Sequence, residues 1–81
     1  MRYRIEYLFE STDERSVCHS AVTEGNLNDA EEAARRGRVL AQLSFGADGF
    51  QIRDLRDKGR IVSLEPFDPL KWALAGDHVI H

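Results

Sequence analysis

The segment 26–46, NLNDAEEAARRGRVLAQLSFG, carries the clearest periodicity in the chain. On a wheel of about 100° per residue, Leu40, Ala33, Leu43, Gly37, Ala30 and Ala41 share one broad side, while Glu31, Glu32, Arg35, Arg38 and Gln42 share the other. A helix with one apolar side needs a surface to lie on. The alanines and Gly37 on that side favour close approach to a flat partner, so one long helix against a sheet is expected. Asn26 is a reasonable N-cap with Asp29 following, and Asn28 with Glu31 is an alternative start. Gly46 is a candidate C-cap. Gly37, unfavourable inside a helix by about 1 kcal/mol against alanine, reads first as a close-packing position and second as a hinge.

On either side of this helix the pattern changes to a period of two. In 2–9 the residues Tyr3, Ile5, Tyr7 and Phe9 point one way and Arg2, Arg4 and Glu6 the other, with Leu8 out of step. A polar turn, STDER, separates this strand from SVCHSAVT, where Val17, His19 and Ala21 alternate with Cys18, Ser20 and Val22. Neither face of that second strand is strongly apolar, which suits a sheet edge. Beyond the helix, GFQIRDL turns Phe50 and Ile52 inward. Arg56-Asp57-Lys58-Gly59 then makes a turn with Gly59 left-handed. RIVSLE returns with Val62 and Leu64 toward the core and Ile61 on the other face. Asp68-Pro69 has the form of a helix start, an N-cap acceptor followed by proline. A short helix at 69–75 is therefore expected, with Leu70, Trp72 and Leu74 in need of a docking surface. The division that follows is a ββαββ domain at 1–66 and a tail at 67–81.

Composition adds limits rather than a function. At 81 residues the chain supports one modest core. A net charge of −3 argues against a general polyanion binder. Among the 11 basic residues only Lys58 and Lys71 are lysine, an imbalance that base composition of the gene explains better than phosphate or carboxylate recognition does. One cysteine, Cys18, cannot form an internal disulfide, and no segment has the length of a signal peptide or membrane helix. A cytoplasmic protein without a membrane span is the expectation.

Candidate chemistry is sparse. Cys18 and His19 are adjacent on a strand, so a regular strand would send them to opposite faces and prevent a dyad. His78 and His81 with Asp77 have a spacing zinc can use, but too few other ligands accompany them. Glu31 and Glu32 lie on the wet side of the helix, and no glycine loop of a phosphate-binding kind is present. No catalytic group, metal or cofactor is therefore expected. Arg53, Arg56, Lys58 and Arg60 gather on the second hairpin and allow a nucleic-acid-binding alternative, although Asp54 and Asp57 interrupt them.

The order strand–strand–helix–strand–strand, with DAEEAARRGRVLAQ on the helix and IRDLRDKGRIVSLE on the last hairpin, resembles small bacterial ββαββ domains over about residues 2–65. That resemblance implies an antiparallel sheet with a helix on one face and implies no catalytic residue. The expected fold is α+β: about four antiparallel strands, one long helix and a short C-terminal helix. The expected function is a non-enzymatic protein-interaction module, a homodimer or an accessory to a protein partner. Its contact residues are expected to be Leu8, Ile61, Leu70, Trp72 and Leu74, on the sheet face away from the helix and on the tail.

Overall fold

A computed structural model describes residues 2–10 and 15–68. The expected short helix at 69–75, with Leu70, Trp72 and Leu74, and the histidines near the C-terminus lie outside the described residues. The elements are β1 (Arg2–Glu10), β2 (Arg15–Glu24), α1 (Leu27–Arg36), α2 (Arg38–Phe45), β3 (Gly49–Asp54) and β4 (Arg60–Pro66). The strands form one antiparallel sheet in the order β2-β1-β3-β4, so the helices connect the edge strand β2 to the inner strand β3. The class is α+β, as the alternation of periods implies.

One long helix is the first correction. The helical segment divides at Gly37, whose ψ of 1° leaves the helical range while its neighbours stay in it. A side chain on Gly37 would collide with the Tyr7 hydroxyl, and that hydroxyl donates a 2.8 Å hydrogen bond to the Ala34 carbonyl. The sheet thus inserts a phenol against the last turn of α1. The close-packing reading of Gly37 agrees with this contact, and the bend lies at the same place.

The ends of the helices follow local rules. Asn26 Oδ1 accepts from the Asp29 amide at 2.8 Å, and Asp29 Oδ2 accepts from the Asn26 amide at 3.2 Å, a reciprocal capping pair. Gly46 closes α2 in the left-handed conformation. At the second hairpin Gly59 has φ 76°, which a side chain would strain.

Between the layers lie Tyr3, Ile5, Tyr7, Phe50, Ile52 and Phe67 from the sheet side, and Ala30, Ala34 and Ala41 from the helices. The helices therefore rest on the stripe Ala30, Ala34, Gly37 and Ala41. This stripe is rotated by about 90° on a 3.6-residue wheel from the Leu40-centred side read from the sequence. Bulky rings on the sheet already occupy the interlayer space, so only residues of alanine size fit beneath the helices. Leu40 and Leu43, expected inside, are outside.

Two bulges also change the alternation. Between Tyr7 and Leu8 of β1, β2 passes from His19 to Val17 and leaves Cys18 as the extra residue. Val17 consequently joins Ser20 and Val22 on the face away from the helices, while Cys18 packs against the core. The expected alternation of Cys18 with His19 does not hold through the bulge. Between Ile52 and Arg53 of β3, β4 passes from Ser63 to Ile61. Leu64 is thereby turned out of the core and Ser63 toward α1, where its hydroxyl donates to Glu31 at 2.9 Å.

Candidate interaction surface

Several large apolar side chains are exposed on α2, beside β2. Leu43 is 82% exposed and Leu40 65%, with Val39 and Phe45 also open on α2. Leu40 borders a groove of about 320 Å³ between the helices and β2. Its floor is Ile5, Tyr7, His19, Ala21 and Thr23, and its helical wall includes Ala33, Gly37 and Ala41. Phe45 stacks in parallel on His19, with ring centroids 4.4 Å apart and an angle of 4°. His19 in turn lies 6.1 Å from Tyr7, continuing the stack toward the core. These contacts fix the C-terminal end of α2 over β2 and leave the outer row of α2 without cover.

The groove follows from the sequence geometry already described. Arg35 of α1 pairs with Glu65 of β4 through two hydrogen bonds of 2.7 and 3.0 Å. Ser63 and Glu31 add a second tie on that side. With α1 attached to β4, the residues of β2 that face the helices are only partly roofed. Ala21 is too small to fill the space that remains.

Of the residues expected to carry an interface, Leu8 and Ile61 lie among the described residues. Leu8 is 2% exposed and offers no open contact. Ile61 is exposed, on the face away from the helices. The centre of that face is polar. Glu6 is buried there, accepting from Gln51 Nε2 at 2.6 Å and Arg53 Nε at 2.8 Å. Burial by itself would raise the pKa of Glu6, but the hydrogen bonds from Gln51 and Arg53 and the charges of Arg53 and Arg4 outweigh it and hold the pKa below the ordinary carboxylate value.

The arginine hairpin is largely occupied. Arg53 binds Glu6 and also donates to the Gly59 carbonyl at 2.8 Å, so it braces the turn. Arg60 pairs with Asp57 at 2.7 Å. Arg56 and Lys58 remain exposed. Cys18 donates weakly to the Tyr7 carbonyl, at 3.5 Å, and burial pushes its thiol pKa up, away from nucleophilic use. Among the described residues, no group of three or more His, Cys, Asp and Glu is placed to hold a metal ion. No helix among them is long and apolar enough to cross a membrane.

Sequence reasoning missed the α2 row because it centred the wheel on the largest apolar residues. The signal was present in the small ones, since Ala30, Ala34, Gly37 and Ala41 recur at steps of four, three and four. Comparison with protein-family models, curated proteins and solved structures gives no match.

Proposed function

We propose that this protein is a small, non-enzymatic interaction module that docks another protein surface against the outer row of α2 and the adjoining groove. The observation that carries this reading is the exposure of Leu40 and Leu43 beside an apolar groove. Burying a leucine side chain contributes about 1.5–3 kcal/mol, so a row of this kind favours association strongly for so small a domain. The groove supports contact with side chains because its lining is mostly apolar and its polar groups are few. Tyr7 donates to Ala34, and His19 is held between rings.

The surface differs from the one expected from sequence, since it lies on the helix side. The nucleic-acid alternative loses support, because Arg53 and Arg60 of its four cations are committed to acids within the chain.

The test is a Leu40→Ser/Leu43→Ser chain examined by urea unfolding and by sedimentation. Surface positions change stability by about 0.5 kcal/mol at most, so unfolding should be nearly unaffected while concentration-dependent association weakens. A loss of several kcal/mol on unfolding at dilutions where the wild-type chain is monomeric would mean that the row is packed within the chain, and the interaction reading would be wrong.

A further inference from the structure

We infer that the partner is a second copy of this chain, paired antiparallel along β2 across a two-fold axis at Ser20; this rests on the interaction reading above and specifies its partner. Among the described residues β2 is an edge of the sheet, and its ten residues leave alternate backbone groups on the outer side. RSVCHSAVTE contains no proline or lysine, and the features that could blunt this edge, the bulge at Cys18 and the charges of Arg15 and Glu24, are ones the pairing below accommodates.

The bulge at Cys18 sets which residues share a face. The pairings with β1 place Arg15, Val17, Ser20, Val22 and Glu24 on the face away from the helices, and Ser16, His19, Ala21 and Thr23 on the helix side. Centring the pairing on Ser20 puts His19 opposite Ala21 of the second copy. Val22 then meets Val17, Thr23 meets Ser16 and Glu24 meets Arg15, each pair occurring twice. The step from Ala21 to Val22 skips Cys18 of the second copy, as the step from Tyr7 to Leu8 of β1 already skips it within one chain. Every pair matches in face. The half-exposed Val17 and Val22, at 49% and 48%, cover one another, and an acid meets a base at each end. Because Phe45 of α2 stacks over His19, the pairing brings the apolar α2 rows of both copies to the same side of the continuous sheet.

The other edge, β4, repeats part of this arrangement, with Ser63 at the centre, Ile61 opposite Leu64 and Arg60 opposite Glu65. Polar groups are engaged within the chain at both edges: on β4 Glu65 by Arg35, Arg60 by Asp57 and Ser63 by Glu31, and on β2 Arg15 by Glu10 at 3.4 Å, so Glu24 of the second copy would share that arginine. The groove and the bare α2 row lie at β2, which selects that edge.

The register makes the test specific. Residues directly opposite in an antiparallel pair have Cα atoms about 4.5–5.5 Å apart, within the roughly 4.4–6.8 Å a disulfide spans. In a Cys18→Ser background, Ser20→Cys should give a covalent dimer under mild oxidation, whereas Val22→Cys alone should not. Val17→Cys with Val22→Cys should bridge again. The wild-type chain should sediment as a dimer, weakened by Arg15→Glu and restored when Glu24→Arg is added. A chain that stays monomeric at millimolar concentration overturns the proposal, as does bridging by Ser63→Cys without bridging by Ser20→Cys. If a dimer forms that Leu40→Ser/Leu43→Ser dissociates but Ser20→Cys does not link, the β2 pairing falls and the interaction module stands. If those leucine substitutions instead unfold the chain, the interaction reading fails separately.

Discussion

At Gly37 two ordinary rules oppose each other. Helix propensity favours alanine there by about 1 kcal/mol, yet a Cβ would enter the space of the Tyr7 hydroxyl. Gly37→Ala should therefore destabilise the protein, by about 1–3 kcal/mol as for other overpacked sites. Tyr7→Phe should cost about 1 kcal/mol for its hydrogen bond to Ala34. Combined, the two should be clearly less damaging than their sum, because the missing hydroxyl admits the new methyl. A double-mutant cycle in urea that returns simple additivity would disprove the contact. Glu6 makes a separate prediction, through pH. Its folded pKa is depressed, so its stabilisation is present in full above the ordinary unfolded value and is lost as pH falls through the folded one. The melting temperature should hold between about pH 7 and 5 and decline below that range. Glu6→Gln should lower it at neutral pH and remove part of the decline. An unchanged acid limb in that variant would show that other carboxylates, Glu65 with Arg35 among them, account for it.

Among the elements, the helix pair shows how much the chain discloses about its own packing. The strands, the capping Asn26, the left-handed Gly46 and Gly59 and the edge position of β2 are all legible, because each depends on neighbours within a few residues. The contact face of the helix is not, because it depends on the volume of Tyr3, Tyr7 and Phe50 from strands far away in sequence. The same holds for the two bulges. A single extra residue at Cys18 or Val62 reverses the face of the positions beyond it, and nothing local to SVCHSA or RIVSLE marks the insertion. Of the positions this affects, Leu40 stands exposed where the wheel predicts cover, and Leu8 is covered where alternation predicts an open position. If the alanine stripe is the true contact, Ala34→Leu should cost about 1–3 kcal/mol through overpacking, measured by the urea midpoint. Stability equal to wild type would mean that the layers can separate there at little cost.

For the molecule as a whole, the sheet has a covered pair of inner strands and two edges that differ in what holds them. β1 and β3 are hydrogen-bonded on both sides, while β4 is clasped by Arg35 and Glu31 of α1, and β2 has the groove above it. Local opening follows such differences in burial and backbone pairing. In a dilute solution of single chains, amide exchange should be slowest in β1 and β3 and faster in β2 than in β4. Self-pairing alters only one of these strands directly. As concentration rises, the outward amides of β2 should become protected together with those of α2, while β4 remains at its dilute rate. Protection must appear at alternate residues of β2, because the other amides already bond to β1. A concentration-dependent slowing that spreads evenly over all four strands would report a general gain in stability and would not support a β2 seam. Slowing confined to β4 would place the contact on the opposite edge, despite the engagement of Glu65, Arg60 and Ser63 within the chain.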